Sequence, residues 1–514
     1  MPKNIVVFSD GTGQDGGSRP EQTLSNVYKM YRACHIGPGS AIDPHEQVSF
    51  YDAGLGTDIG ATALTAPLRF IQKMLASVTG RGISTNIADC YEFIINHYEP
   101  GDRIFLIGFS RGAYTVRCLA NVLMLCGVPT AVGADHLPRF RKATRDIAEE
   151  AISNVFEHGA GHPRAKYEKE RFEQARRFRA KYGSNNPENE GESNAAPHFV
   201  GVFDTVAALG AAGLRQYLIG FGLVAAAALV VAAVAGTLML FTRMAFWKLF
   251  LLVAIPSAAI SAYKAIRPTL KVIRDFPERG NFRWHFAVWK ASNYDRLLSG
   301  YVGYARSANA IDEKRADFDR VAWGSAGGVR ARVGDEPAPL LQLWFAGNHS
   351  DVGGSYPEVQ SRLSDIALQW MIEQATSIPN GLKIGPVFVN GEKMPGTADV
   401  GDPLRVFPSA DGVQHCEIAG MRDMIDQRSP GFLRGLTARL NWKEKIRSIK
   451  PDAPMHDSVV RRFELSDVRQ CAGFGAYRPP ALSEHNKFKK YYACEAGPSD
   501  TAAAVVERAN VDTA

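Results

Sequence analysis

Three residues of this sequence, Ser110, Asp204 and His349, have side chains that can together perform nucleophilic catalysis. A serine hydroxyl attacks a carbonyl carbon efficiently when a neutral histidine removes its proton, and an aspartate holds that histidine in the required tautomer. Residue types alone are a weak indication, because the chain contains 12 histidines. The three are informative only if the surrounding elements bring them together.

Ser110 lies at the centre of the pentapeptide Gly108-Phe-Ser-Arg-Gly112. The apolar run 103–107 before it predicts a buried strand, and residues 113–126 after it have helical character. A strand, G-x-S-x-G and a helix are together typical of the nucleophile elbow of α/β hydrolases, a strained turn that points the serine away from the sheet. Glycines two residues before and two after leave room for neighbouring elements. The alternative is an ordinary serine in a glycine-rich turn.

Backbone groups near Ser110 are candidates for stabilising an oxyanion. Arg111 follows the serine at the predicted helix N-terminus, so its N–H can donate to the developing negative charge. Residues 5–9 predict a first buried strand that ends in a glycine loop, where hydrolases of this type place a second donor. We expect the N–H of Gly11 or Thr12 to be that donor, unless this loop is only a turn.

The acid and the base each follow a predicted strand. Residues 198–203 predict one strand, and Asp204 comes directly after it. Residues 341–345 predict another, and His349 lies in the glycine-rich loop that follows. Asp351, two residues after the histidine, is the alternative acid. A strand-ending aspartate that only caps a turn is the alternative interpretation of Asp204.

Strands and helices alternate through the first quarter of the chain. This alternation predicts an α/β fold, α/β-hydrolase-like, with a mainly parallel sheet flanked by helices, a helical insertion and an apolar helical hairpin. The predicted units are the first part of the core with the nucleophile elbow (1–129), a polar helical insertion or cap (130–196), a core strand with the acid (197–210), the apolar hairpin (211–267), the remainder of the core with the histidine (268–480) and a C-terminal extension with a disordered tail (481–514).

The apolar hairpin has the composition of a membrane segment. Residues 218–241 contain no charged side chain, which meets the length of a bilayer span. Residues 249–262 form a second apolar run, which is shorter and contains Pro256. Three alternatives stay open: a transmembrane hairpin, a monotopic or lid-like hairpin that dips into one leaflet, and a hairpin buried in the protein core.

Composition limits the classes of function. The chain of 514 residues is 46% hydrophobic and 22% charged, which indicates a folded protein. Its net charge of +6, without a basic arm, does not indicate nucleic-acid binding, although it suits an anionic membrane surface. Seven scattered cysteines without a C-x-x-C pair indicate neither a disulfide framework nor a zinc ribbon.

Several sequence blocks carry a family resemblance. They are Ile5-Val-Val-Phe-Ser-Asp-Gly-Thr, Tyr51-Asp-Ala-Gly-Leu-Gly-Thr, Gly108-Phe-Ser-Arg-Gly-Ala-Tyr, Val202-Phe-Asp-Thr-Val and Trp344-Phe-Ala-Gly-Asn-His-Ser-Asp-Val-Gly-Gly, with shorter blocks starting at Ala310, Leu363, His456 and Tyr477. Together these blocks, spread over residues 3–480, resemble the α/β-hydrolase domain of one group of type VI secretion phospholipase effectors. The apolar hairpin is not part of this motif pattern.

The resemblance implies hydrolysis of phospholipid esters by a Ser110, Asp204 and His349 triad, in a protein of bacterial origin, with no cofactor or metal. The implied partners are a phospholipid or other lipid ester and a membrane; an immunity or secretion partner is not identified. The first apolar run is too short for a signal peptide. We therefore expect a membrane-associated protein of the bacterial inner membrane without a cleaved signal peptide, with a cytoplasmic or exported effector as the alternative.

Two other functions stay open. A metal-dependent phosphoesterase would use Gly347-Asn-His349, which is similar to the G-N-H of metallophosphatases, although no D-x-H follows the first strand. Its carboxylates could come from Asp10, Asp52, Asp58 and Asp351. The second is a non-catalytic, membrane-anchored protein of hydrolase fold that binds a partner through residues 130–196.

Overall fold

A six-stranded sheet forms the centre of the chain. The computed structural model describes residues 2–11, 14, 16, 23–37, 39–54, 81–206, 214–242, 244–289, 298–323, 334–417, 444–470 and 473–493. The strands are β1 (Asn4–Ser9), β2 (Gln47–Asp52), β3 (Arg103–Phe109), β4 (Pro197–Phe203), β5 (Tyr304–Ala310) and β6 (Leu340–Phe345). Their order across the sheet is β6-β5-β4-β3-β1-β2, and every neighbouring pair is parallel.

Helices cover both faces of this sheet, which confirms the α/β class with a mainly parallel sheet. The helices are α1 (Asn26–Ala33), α2 (Arg81–His97), α3 (Ser110–Cys126), α4 (Lys142–Glu150), α5 (Glu168–Tyr182), α6 (Leu214–Phe241), α7 (Phe246–Ile266), α8 (His349–Gly353), α9 (Arg362–Thr376), α10 (Asp457–Glu464) and α11 (Lys489–Ala493). Short two- and three-stranded sheets lie outside the centre, among them the hairpin of Leu270–Arg274 with Phe282–Phe286.

Alternation along the strands divides the core into two layers. In β1, Ile5 and Val7 pack with α2 and α3, whereas Val6 and Phe8 pack with α1 and α9. All four side chains are fully buried. A parallel strand covered on both faces is apolar at every position, and this is why residues 5–8 gave an uninterrupted apolar signal.

One central strand was not predicted. The predicted strands near residues 5–9, 103–107, 198–203 and 341–345 are confirmed within a few residues. β5, by contrast, is rich in alanine and contains Arg306 and Asn309, both buried. Arg306 donates through Nε to Gln374 and through Nη1 to backbone carbonyls, while its Nη2 has no partner among the described residues; Asn309 donates to the Leu343 carbonyl. Tertiary partners therefore permit a strand that its own composition does not indicate.

The insertion extends one helical layer. Its helices α4 and α5, with the turns between them, place Ile147, Ile152, Phe156 and Phe178 in the same buried cluster as α2 and α3. The insertion is therefore attached to the core by apolar packing. Its role as a cap over the site stays a prediction.

The apolar hairpin projects its side chains away from the core. Val224–Phe241 and Phe246–Lys264 are long and apolar enough to cross a membrane, with mean hydropathies of 2.5 and 1.6, and only 6% of each segment is buried. α6 and α7 contact each other, and α7 continues through Pro256. The alternative of a hairpin buried in the core does not fit this exposure.

Two features of the C-terminal part add to the sequence-based expectations. Leu482 and Phe488 are buried in a cluster with α10, so the start of the predicted extension belongs to the packed structure; residues 494–514, with the predicted disordered tail, lie outside the described part of the chain. Cys416 is disulfide-bonded, although the sequence indicated no disulfide framework.

Candidate active site

Ser110 sits at the junction of β3 and α3. Its φ angle is +59°, a left-handed conformation that a non-glycine residue adopts only where the surroundings enforce it. A Cβ on Gly108 would lie 2.6 Å from the Gly112 carbonyl oxygen, and one on Gly112 would lie 2.1 Å from that of Ser9. Both glycines are therefore required for the close approach of β1, β3 and α3. This is the backbone arrangement predicted from the pentapeptide.

The sheet topology places several loops around this serine. β1 and β3 are neighbours from which the chain continues in opposite directions across the sheet, and ligands of open α/β sheets bind at the carboxyl edge of such a point. The register pairs Ser9 with Gly108, and Phe109 with Phe203. The loops after β1, β3 and β4 therefore meet at one edge. The Val206 amide donates a hydrogen bond to the Ser110 carbonyl (3.4 Å), which joins the acid loop to the serine.

Asp204 and His349 form a buried hydrogen-bonded pair. The aspartate follows β4 and is fully buried, and its Oδ2 lies 2.6 Å from Nδ1 of His349. Nδ1 therefore carries a proton and donates a hydrogen bond to the carboxylate. When the ring is neutral, Nε2 is then the nitrogen with the lone pair. The sequence analysis predicted this pairing, and the structure brings the two residues together over 145 positions of sequence.

Arg447 holds the same carboxylate from the other side. Its guanidinium donates to Asp204 Oδ1 (2.5 Å) and Oδ2 (2.9 Å), and the Ala310 amide donates to Oδ1 (3.0 Å). Burial alone raises the pKa of Asp204, but Arg447 and His349 outweigh it and hold the pKa well below its ordinary value. The carboxylate is therefore ionised at neutral pH.

The second ring nitrogen of His349 is available for chemistry. Nε2 is buried and makes no hydrogen bond to any described residue, Ser110 included. The ring stacks on Phe109, with 4.6 Å between centroids, and Phe109 directly precedes the serine. A Cβ on Gly353 would lie 1.9 Å from the Phe109 ring, so only glycine permits this stacking. Catalytic hydrogen bonds are commonly long or unformed without substrate, so the missing bond to Ser110 is compatible with a later role of Nε2 as an acceptor.

The loop that carries His349 is fixed by its own polar contacts. The Asn348 side chain caps α8 by accepting from the amides of Ser350 and Asp351. The His349 amide donates to Glu313 (3.2 Å), a buried carboxylate. Burial raises the pKa of Glu313, but its ion pair with Arg315 prevails and holds that pKa below its ordinary value. The backbone that presents the imidazole is thus held by a cap and by an ionised acceptor.

Asp351, the alternative acid, is placed on a different histidine. Its Oδ1 lies 2.7 Å from Nδ1 of His415, and its Oδ2 accepts from the amides of Asn348 and His415. The carboxylate that reaches His349 is that of Asp204.

The candidate oxyanion donors differ in their availability. α3 begins at Ser110, so the Arg111 amide is among the first N–H groups of a helix, which have no acceptor within it. A Cβ built on Gly11 would lie 3.2 Å from the Ser110 Cβ, so this loop does approach the nucleophile. However, the Gly11 amide donates to its neighbour Asp10 (2.7 Å). Thr12, the other candidate, lies outside the described residues.

Asp10 holds the loop that follows β1. Its carboxylate accepts from Ser25 Oγ (2.5 Å), Tyr51 Oη (2.7 Å) and the Gly11 amide. Burial raises its pKa to about 6 against these three hydrogen bonds. Asp52 is likewise occupied, by Ser9 and Asn86. Among the described residues, no three His, Cys, Asp or Glu side chains come together as a metal-binding group, and Asp58 lies outside them.

Comparison with known proteins assigns the family. A family model described as "T6SS, Phospholipase effector Tle1-like, catalytic domain" matches residues 3–234 and 265–374, which is more than half of the chain. The chain belongs to this Tle1-like family. The match omits residues 235–264, which include the end of α6 and most of α7, and it ends well before the last resembling block near Tyr477.

Individual relatives of this Tle1-like chain are distant. An uncharacterized protein of Saccharomyces cerevisiae, YEL023C, is 22% identical over 473 residues, and the match covers 82% of this chain and 64% of that protein. Among solved structures, an uncharacterized protein from Pseudomonas aeruginosa has a TM-score of 0.30 at 16% identity, covering 74% of this chain and 46% of its own. A Tle1 effector bound to the VgrG spike of the type 6 secretion system has a TM-score of 0.26 at 15% identity, covering 71% and 53%.

Two residues around the histidine were missed by sequence reasoning. Arg447 lies 243 positions from Asp204 in a polar segment, and Glu313 lies in a loop after β5. Neither belongs to a motif with a recognisable spacing. The block that begins at Ala310 contains Glu313, and this was the only signal for it in the sequence.

Proposed function

We propose that this chain is a serine carboxylester hydrolase of α/β-hydrolase type that acts on phospholipids at a membrane. The observation that carries the proposal is the position of Ser110. It occupies a positive-φ strand-to-helix turn at the sheet edge where Asp204 orients His349 and leaves its Nε2 free. Membership of a phospholipase effector family supports the lipid substrate.

The mechanism follows from what each group can do. Nε2 of His349 takes the Ser110 proton as Oγ bonds to the ester carbonyl carbon, and the carbonyl electrons form an oxyanion that the Arg111 amide stabilises. His349 then protonates the leaving alkoxide, and an acyl-serine forms. Water attacks this ester by the same route, so that a fatty acid and the free serine are released. Asp204 stays ionised throughout and stabilises the imidazolium.

Membrane location is part of the same proposal. The exposed apolar hairpin of α6 and α7 inserts into a bilayer, which gives the site access to lipid. α6 begins at Leu214, only eight residues after Val206, whose amide contacts Ser110. Eight residues span at most roughly 26–29 Å. The start of α6 therefore lies within that distance of the catalytic loops.

The test combines labelling with hydrolysis. Detergent-solubilised full-length chain, its Ser110→Ala variant and a Ser483→Ala control at a serine remote from the site would be treated with a fluorophosphonate. Untreated samples would receive phospholipid vesicles or a short soluble ester, with and without a chelator. We expect labelling and hydrolysis in the parent and in Ser483→Ala, neither in Ser110→Ala, and no effect of the chelator.

Other outcomes identify the rival functions. Hydrolysis that survives in Ser110→Ala and disappears with the chelator would indicate a metal-dependent phosphoesterase. Absence of labelling and of hydrolysis in the parent would favour a non-catalytic binding protein. Cleavage of the soluble ester without cleavage of vesicles would keep the serine chemistry and remove the phospholipid.

A further inference from the structure

A second apolar surface lies beside the helical hairpin. The two strands Leu270–Arg274 and Phe282–Phe286 pair antiparallel, with Val272 opposite Trp284. Side chains alternate between the two faces of such a hairpin. We call its outer face the aromatic plate; its members are Leu270, Val272, Arg274, Phe282, Trp284 and Phe286. The three aromatic side chains are between 51% and 58% exposed, and contiguous exposed aromatic surface of this kind marks an interaction site.

The inner face of the same hairpin is firmly attached to the insertion. Lys271 pairs with Glu157, Arg283 pairs with Glu170, and the His285 ring stacks on Tyr167. Further bonds run from Gln174 and Arg177 to backbone carbonyls of the first strand and the turn after it. Exposure of the plate is therefore not a sign of a loose segment, since the strands are held in place from behind.

The plate continues directly from the end of α7. That helix ends at Ile266, the Thr269 amide donates to the Ile266 carbonyl, and the plate begins at Leu270. Basic residues outnumber acidic ones between 264 and 286. Arg267 lies over the Tyr263 ring and Arg274 near that of Phe282. Aromatic rings bordered by arginine are the composition of protein surfaces at the lipid headgroup level, and the positive charge suits anionic lipids.

We propose that the aromatic plate docks on the surface of the bilayer that α6 and α7 enter. Its rings lie at the headgroup boundary, and Arg274 and the neighbouring Arg267 contact anionic headgroups. This inference rests on the proposed membrane association and adds to it the orientation of the catalytic body. The body lies on the side of the membrane where α6 begins and α7 ends, with the plate against the lipid.

Packing connects the plate to the nucleophile. Trp289, three residues after the second strand, contacts Phe156 of the insertion and Tyr114, with ring centroids 5.7 and 6.4 Å apart. Tyr114 is fully buried and lies one turn after Ser110 in α3. Docking of the plate would therefore hold the serine turn at a fixed height above the lipid. This would favour substrates that lie in a bilayer over soluble esters.

The test places a reporter on the plate. Full-length chain carrying Trp284→Cys would be labelled with an environment-sensitive fluorophore and reconstituted into vesicles of phosphatidylcholine and phosphatidylglycerol. The matched control is Phe474→Cys, at a 74% exposed aromatic position on another short β-hairpin; the unsubstituted chain gives the labelling background. We expect nitroxide-bearing lipids to quench the label at 284 and not the label at 474. Equal, weak quenching at both positions would overturn the proposal, as would protection of position 284 in lipid-free detergent by a second copy of the chain.

A second measurement covers the case in which the cysteine variant fails to fold. Replacing Phe282, Trp284 and Phe286 together by serine should reduce hydrolysis of vesicles at least severalfold and leave hydrolysis of a short soluble ester unchanged, whereas Phe474→Ser should change neither. An equal loss on both substrates would contradict a docking role. If the label at position 284 is quenched but the unsubstituted chain hydrolyses neither substrate, the proposed enzyme is refuted and the docking role of the plate is retained.

Discussion

The candidate site contains two acid–histidine pairs that are almost identical at short range. Nδ1 of His349 lies 2.6 Å from Asp204, and Nδ1 of His415 lies 2.7 Å from Asp351. Both acids are buried. Distance between acid and histidine therefore does not distinguish a catalytic base from a structural pair.

The second ring nitrogen does distinguish them. Nε2 of His415 bonds to the Gln360 side chain (3.0 Å), and its ring stacks on Tyr356. Nε2 of His349 is buried beside Phe109 and has no partner among the described residues. One imidazole has both nitrogens occupied, and the other keeps one for a proton from outside the pair. A base requires an unoccupied acceptor as well as an orienting acid.

The two acids also differ in their partners. Asp204 has the guanidinium of Arg447, which holds its pKa down against the effect of burial. Asp351 accepts from His415 and from backbone amides, and burial prevails and raises its pKa above the ordinary value. The surroundings thus favour the charged form of Asp204 and disfavour that of Asp351, and a charged acid is what stabilises an imidazolium.

The largest expected difference between the pairs is at the histidines. His349→Asn should lower kcat on a soluble ester by roughly 10⁴–10⁶, because the serine loses its base. His415→Asn should cost only a few-fold, since it removes a structural contact. Steady-state kinetics of both variants measures this. Similar losses of kcat in the two variants would contradict the assignment of His349 as the base and His415 as a structural residue.

Substitution of the two acids should likewise lower kcat much more at Asp204 than at Asp351. Asp204→Asn should reduce kcat by about 10⁴, because an amide favours the wrong tautomer of His349. Asp351→Asn should leave kcat within about an order of magnitude and act mainly on stability. The readout is kcat separated from KM, with circular dichroism as a control for folding. A larger kcat loss for Asp351→Asn would make it the working acid.

Arg447 is a positioning residue, and its removal should have an intermediate effect. Arg447→Met leaves Asp204 buried without its cation, so its pKa should rise and the acid limb of kcat/KM should move to higher pH. Arg447→Lys should restore part of the original profile, although an ammonium cannot make the bidentate contact. An unchanged pH profile in Arg447→Met, with only a lower melting temperature, would show that Arg447 serves stability alone.

The smallest expected effect is a pH dependence of stability. Because the pKa of folded Asp351 is raised, the unfolded chain releases this proton first, so Asp351 makes the folded state less stable as pH rises above about 4. Asp351→Asn removes a slope of at most about 1.4 kcal/mol per pH unit. Asp204 acts in the opposite sense, since its lowered pKa gives stability above about pH 4 that is lost in acid. Thermal unfolding against pH, in parent and variant, measures the difference; a steeper decline with rising pH in Asp351→Asn would contradict this sign.

The sequence predicted the parts of the site that follow from local pattern. Ser110, Asp204 and His349 each end an apolar strand or lie in the loop after it, and parallel strands bring such loops to one edge. Their meeting therefore needed only the topology. The strained turn at Ser110 was predictable because glycines at 108 and 112 indicate positions where neighbouring backbone leaves no room for a side chain.

Other parts depended on contacts that no pattern records. The buried Arg306 of β5 bonds to Gln374, and Arg447 reaches Asp204 from far along the chain. The Gly11 amide looked free from sequence and is occupied by Asp10. Asp351 was the alternative acid because it lies two residues after His349, but its carboxylate contacts His415 instead.

The position of Arg447 in the sequence has a consequence for any shortened form of this protein. The family match ends at residue 374, and Arg447 lies more than seventy positions beyond it. A fragment cut at that boundary would retain Ser110, Asp204 and His349 and would lose the cation that neutralises the Asp204 carboxylate. Removing one member of a buried ion pair costs about 3–5 kcal/mol, a large share of the stability of a typical domain. A shortened chain that keeps the Asp204 ion pair therefore has to extend beyond the family match and include Arg447.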